Sequence, residues 1–272
     1  MRFIKLGNKG GVGHHRFLET CIALWLGFVW PSLGAVVSFS TAMGQGADAH
    51  VWSHQPTRNY GDREVITTRN IDEHPTMNFK GYFRFDLSSL SGYDWANATS
   101  VTLTFASIND NHSIAWEFYG LPDGLPGDSA SGWTEMGINY NNAPGNAAST
   151  SDIGFITSPP GDENGNYLTL LGSLTGQTTG SGTVHSFSSS ALLDLIKNDQ
   201  NGLITIAVRR LDERGMVHLA SKETDTGYAI PMLLIDAPLS VVPEPAEYAL
   251  LGVAFLGGCY LWQRCRPARR VS

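Results

Sequence analysis

The chain has 272 residues, of which 42% are hydrophobic and only 16% charged, with 30 glycines, 13 prolines and three cysteines. About 25% charged is usual for soluble domains, so a coiled coil or a charged disordered tail is excluded and a β-rich exported fold is favoured. The formal net charge of −7 is unevenly spread: residues 45–242 hold 10 basic and 22 acidic side chains, while both ends are basic. Such an acidic middle repels phosphate backbones, which excludes nucleic acid as a partner.

From the N-terminus, residues 1–17 are basic and Cys21–Phe39 is almost continuously apolar, followed by the small residues Ser40, Thr41, Ala42 and Gly44. That order reads as a secretory signal peptide over residues 1–44, cut before Gln45 or after Ala42, with an uncleaved anchor as the alternative. Residues 45–238 read as one domain. Short apolar/polar alternations recur at Ala49–His54, Arg63–Thr68, Tyr82–Leu87, Val101–Phe105 and Trp116–Gly120. They continue at Tyr167–Leu171, Thr183–Phe187, Ile204–Arg209, Met216–Ala220 and Ala229–Asp236. Gly, Pro and Asn clusters separate these runs, which predicts an all-β antiparallel β-sandwich or jelly roll. One short helix is predicted at Ala191–Asn198, capped by Ser189 or Ser190. Cys21, Cys259 and Cys265 all lie outside this domain, so it can form neither a disulfide nor a thiolate metal site.

Residues 239–272 read as a third segment. The motif Val242-Pro243-Glu244-Pro245 precedes the apolar run Tyr248–Trp262, which ends in Arg264, Arg266, Arg269 and Arg270. At 1.5 Å per residue the run covers roughly 23 Å of a ~30 Å hydrocarbon core, and the arginines fix its cytoplasmic side. This predicts a marginal transmembrane helix that holds the domain outside. Motif, helix and Arg cluster together resemble the PEP-CTERM sorting signal. The resemblance implies recognition by an exosortase in the inner membrane of Gram-negative bacteria that make exopolysaccharide.

The middle also resembles a known family. Tyr82-Phe83-Arg84-Phe85-Asp86-Leu87, then Trp133-Thr134-Glu135, Asn141-Asn142-Ala143-Pro144 and Ala220-Ser221-Lys222-Glu223 fall in the order of the disaggregatase-related (DNRLRE) domain. Over residues 48–236 the resemblance implies a β-sandwich of the kind found in surface and polysaccharide-acting proteins, related to modules that bind carbohydrates.

Sugar sites need flat apolar faces beside placed polar groups. Trp52, Tyr93, Trp95, Trp116, Tyr119, Trp133 and Tyr140 are the aromatic candidates. Trp116 and Tyr119 read as buried in a strand, and Trp133 as packed under a loop. Tyr93 and Trp95, between Gly92 and Asn97, are the expected exposed pair. Tyr82, Arg84 and Asp86 share a strand face, expected to be solvated; the alternative is a polar groove in which Arg84 grips a uronate carboxylate. Asp162–Asn166 offers oxygen ligands that suggest a structural Ca2+, but it lacks the EF-hand glycine and terminal glutamate and reads as a turn. Gly127-Asp128-Ser129 also reads as turn chemistry, and the histidines are scattered, so no catalytic residue, metal ligand or cofactor is assigned.

The expected protein is therefore non-catalytic, exported and anchored through its C-terminal helix, then released to the cell surface or matrix. Its expected partners are an exosortase and an exopolysaccharide or other glycan. A polysaccharide lyase or hydrolase and a protein-binding adhesin are the alternatives.

Overall fold

In a computed structural model of the chain, the structure describes residues 34–71, 74–108, 113–147, 154–212 and 214–240. Among them the strands run β1 Gly34–Ser40, β2 Ala47–Trp52, β3 Val65–Asn70, β4 Phe79–Asp86, β5 Ser100–Ser107 and β6 Ser113–Gly120. After a long connection come β7 Thr169–Thr178, β8 Thr183–Phe187, the helix α1 Ser190–Asn198, β9 Leu203–Arg210, β10 Arg214–Ala220 and β11 Met232–Pro238. Every pairing is antiparallel. One curled sheet runs β1-β11-β5-β10-β3-β4-β9-β6-β7, with β2 added to β4 and β8 to β5. The two layers are linked where Arg69 of β3 faces Phe79 of β4. An antiparallel curled sheet with one short helix fits the expected β-sandwich.

Alternation builds the core between the layers. In β5 and β6 every second side chain is buried along the first half, and β11 alternates throughout. Register then stacks like with like: Leu103 faces Leu233 and Phe187, while Phe83 faces Ile206 and Phe118 faces Val208. Phe118 and Phe187 meet across the core with ring centroids 4.4 Å apart. Each such side chain contributes roughly 1.5–3 kcal/mol through burial. Gly81 is needed here, because a Cβ would meet Ile66 and Val208 at 2.8 Å. Helix α1 begins where the Ser189 hydroxyl accepts from the Leu192 amide at 3.0 Å, and it buries Leu192 and Ile196 one turn apart.

A second core lies on the other side of β4. The β6–β7 connection lays Leu121, Trp133, Ile138, Tyr140, Phe155 and Leu168 over Ala47, Ala49, Val51, Tyr82 and Ala207. Strand β4 is consequently buried along its whole length. This corrects the expectation that Tyr82, Arg84 and Asp86 form a solvated face: their polar alternation reflects a covering layer that strand periodicity does not register.

Two other elements differ from expectation. Residues 34–44, read as the end of a leader, hold β1 and the turn after it. Val37 and Phe39 enter the core, and all seven β1 residues pair with β11. A short apolar strand has the same composition as the end of an apolar leader, so hydropathy alone merges them. The turn closes at Gly44, whose φ of +57° and whose approach to the Asp86 carboxylate leave no room for a side chain. Strand β7 also runs on to Thr178 through Gly172 and Gly176, which had read as a spacer. The rest of the leader, residues 1–33, and the motif, helix and Arg cluster of 242–270 lie outside the described residues. Among the described residues, no helix is long and apolar enough to cross a membrane.

Starting the chain at Gln45 rather than Gly34 removes an entire strand and opens the edge of β11. That variant is expected to melt far below the longer one, and Phe39→Ala alone to cost about 3–5 kcal/mol in urea denaturation. Equal stability of the two chains would show that β1 is dispensable.

Candidate functional site

An aromatic cluster assembles at the end of β2. Asp48, His50 and Trp52 sit on one face of that strand, opposite Phe83, Gly81 and Phe79 of β4. Trp52 stacks on Phe79 with centroids 4.9 Å apart and planes 13° from parallel. His50 stacks on Tyr60, from the loop that follows, at 4.7 Å and 23°. Exposed His54 lies 5.2 Å from Trp52. Trp52 is half-buried, so the cluster reaches solvent at its end.

Cations line the same loop. The Arg58 guanidinium lies over the Tyr60 ring at 5.0 Å and donates to Gln55 Oε1 at 3.0 Å. Arg63 sits 6.0 Å from the same ring and 3.6 Å from Asp62, with both side chains largely exposed. Two donors at this corner are buried without a hydrogen-bond partner: Trp52 Nε1 and Arg69 Nε. Tyr60 and Phe79 are themselves buried, so the arrangement offers solvent half-buried Trp52 with guanidinium donors in the loop beside it, a combination suited to a sugar ring carrying a carboxylate.

The expected pair Tyr93 and Trp95 does come together, with stacked rings 5.1 Å apart at 21°. Both are half-buried, and Trp95 meets the core residue Phe39 edge-on at 5.4 Å. Asp94 beside them accepts from Asn97 Nδ2 at 2.8 Å. Among the described residues no cation–ring contact involves this second pair.

Tyr82, Arg84 and Asp86 are committed to the fold. Tyr82 is fully buried and donates to the Pro144 carbonyl at 3.3 Å. Arg84, 6% exposed, donates through Nε to the Gln45 carbonyl at 2.8 Å and through Nη1 to the Trp133 carbonyl at 2.7 Å. Its guanidinium also lies 4.8 Å from the Trp133 ring. Asp86 accepts from the Ser88 amide at 3.0 Å and the Gln45 amide at 2.8 Å. These contacts tie the covering layer down.

The two other loops behave as turns. Asp162 accepts from the amides of Asn164 and Asn166, both at 2.9 Å, and of Gly145 at 2.8 Å. Asp128 accepts from the Gly124 amide at 3.1 Å and Asn201 Nδ2 at 2.7 Å. Burial first, and then the nearby Asp123, raise the Asp128 carboxyl well above the usual range.

Sequence reasoning named Trp52 but missed its companions. Tyr60, Arg58 and Arg63 join it only because the chain reverses between β2 and β3. The available signal was the alternation His50, Trp52, His54, followed by three more aromatic or basic residues within nine positions.

His50 gives the cluster a pH dependence. Burial lowers its pKa from 6.5 to about 4, against the opposing hydrogen bond to the Val65 carbonyl, with His218 and Arg63 adding repulsion. Its folded pKa lies below its unfolded one, so the unfolded state takes the proton first and stability falls as pH drops from 6.5 towards 4. Between pH 7 and 4.5 this group alone is expected to remove about 2–3 kcal/mol. His50→Gln, which keeps a donor for Val65, should lose correspondingly less over that interval when unfolding is followed in urea.

Residues 40–160 match the model of carbohydrate-binding module family 96. No curated protein matches the chain. The matched stretch runs from the end of β1 through β6 and most of the covering layer, and includes both aromatic platforms. It marks a carbohydrate-binding-module-like domain within this fold.

Proposed function

We propose that this chain is an exported, non-catalytic surface or matrix protein whose sandwich binds a carbohydrate through the Trp52–Tyr60 cluster. The observation that carries the reading is the similarity of residues 40–160 to carbohydrate-binding module family 96. The geometry at the end of β2 supports it, because aromatic faces and two exposed arginines meet there. Acidic exopolysaccharide is the ligand class that suits these groups. Over the domain as a whole the acidic excess repels a polyanion, so attraction must be local and short-ranged.

Sorting is the second part of the proposal. The Val242-Pro243-Glu244-Pro245 motif, apolar run and terminal arginines support recognition by an exosortase, after transient anchoring in the inner membrane. The described strand β1 supports a leader that ends before Gly34.

Binding to soluble uronate polymers and neutral glucans by affinity electrophoresis tests the site. Arg58→Ala with Arg63→Ala is expected to weaken uronate binding about tenfold while leaving the melting temperature unchanged. Trp52→Ala is expected to weaken it further. Loss only in Trp95→Ala, with neutral polymer preferred, moves the site to the β4–β5 loop. Release of reducing or unsaturated ends from the polymer overturns the non-catalytic reading.

Fractionation tests sorting separately. Glu244→Ala is expected to leave the protein in the inner membrane. An unchanged distribution counts against exosortase processing.

A further inference from the structure

Three carboxylates from distant parts of the chain converge beside the start of β2. Asp48 of β2, Glu135 of the β6–β7 connection and Glu223 of the β10–β11 connection each bring an oxygen within 4.8 Å of the others. Most of their remaining oxygens are spoken for. Asp48 Oδ2 accepts from Thr41 Oγ1 at 2.5 Å and the Lys222 amide at 3.0 Å. Glu135 Oε1 accepts from the Asp48 amide at 3.0 Å, and Oε2 pairs with Lys222 Nζ at 2.6 Å. Glu223 Oε1 stands 3.9 Å from the same ammonium.

Two oxygens are left over. Asp48 Oδ1 and Glu223 Oε2 are both buried without a hydrogen-bond partner, and Asp48 as a residue is only 1% exposed. Native structures satisfy nearly all such atoms, so a pair of orphans in one cluster calls for a missing partner. The cations acting on the three carboxylates are Lys222, paired with Glu135, and the Arg84 guanidinium, which also attracts Glu135.

We propose that Asp48, Glu135 and Glu223 form a site for a hard divalent cation of the calcium class, with Asp48 Oδ1 and Glu223 Oε2 as its unengaged donors. An all-oxygen set suits calcium or magnesium and not a metal that prefers nitrogen or sulfur. Calcium–oxygen bonds of about 2.4 Å span up to about 4.8 Å between two ligand oxygens, and magnesium at about 2.1 Å spans less. Three carboxylates drawn from separate parts of the chain suit calcium's irregular coordination better than the near-ideal octahedron that magnesium demands. Lys222 remains at the rim, partly exposed, and shares Glu135 with the ion. The ion fastens the free side of β2, the covering layer and the β10–β11 connection together. This inference does not depend on what the aromatic cluster binds.

The test uses the full chain, stripped with a chelator and titrated with CaCl2 by calorimetry and thermal melting. One ion per chain and a rise of about 5 °C at saturating calcium are expected, with magnesium giving less than half of it. Asp48→Asn and Glu223→Gln should each abolish the rise, and Glu163→Gln, in the exposed Asp162 turn, should keep it. Glu223→Gln carries the test if Asp48→Asn does not fold. No calcium-dependent rise, a rise kept in Glu223→Gln, or equal stabilisation by magnesium overturns the proposal.

Discussion

Strand β4 is buried on both faces although it carries Lys80, Arg84 and Asp86, and the rest of the structure is organised around satisfying them. A buried cation is tolerated only with close acceptors. The covering layer has no strands among its described residues, only a bridge between Asn146 and Phe155, so part of its backbone is open to side-chain donors. The two needs answer each other. Arg84 takes the carbonyls of Gln45 and Trp133, and Lys80 takes Asn146 Oδ1 at 2.7 Å and the Gly154 carbonyl. Lys80 also faces the Phe155 ring at 4.7 Å. Irregular backbone is thereby pinned to the sheet by buried cations.

That arrangement explains where a ligand can and cannot sit. The outer face of β4 is closed by the covering layer, and the two aromatic platforms lie away from it, where β2 ends and where the β4–β5 loop emerges. β2 pairs with β4 along one side, and on the other Asp48 N–H donates to Glu135 of the covering layer. An edge strand protected in this way presents side chains instead of open backbone. Its terminal residues, Trp52 and the loop after it, are placed by a strand and not by a mobile tip.

Legibility in the sequence followed burial geometry. Strands with one face in the core, such as β5 and β11, advertised themselves by alternation, and α1 by its Ser189 cap and Leu192/Ile196 spacing. β4 was located correctly and its environment was not, because Tyr82, Arg84 and Asp86 alternate just as a solvent face does. β1 was hidden inside an apolar run that begins well before it. Of the aromatic candidates, burial of Trp116 and Trp133 was readable, with Trp116 donating to Thr68 Oγ1 at 3.2 Å and Trp133 to Thr205 Oγ1 at 3.1 Å. The clusters at Trp52 and at Asp48 were not readable, since each joins segments brought together only by strand pairing and by the covering layer.

The distribution of positive charge then favours one margin over the other. Residues 45–242 hold ten basic side chains, among them Lys197, half-buried on α1, and Arg214 at the start of β10. Lys80, Arg84 and Arg210 are buried, Arg209 bonds Glu117 at 2.7 Å, and Lys222 is held by Glu135. Arg58, Arg63 and Arg69 all fall within the short stretch beside Trp52 and Tyr60, and none of them is bound to a buried carboxylate among the described contacts. Arg58 and Arg63 present exposed guanidiniums beside the Tyr60 ring, within a domain whose overall charge discourages anionic polymers. Screening confines their reach to about 8–10 Å at physiological salt. An anionic ligand would thus feel attraction only after arriving at this corner, which makes selectivity a matter of contact geometry and leaves little role for long-range steering.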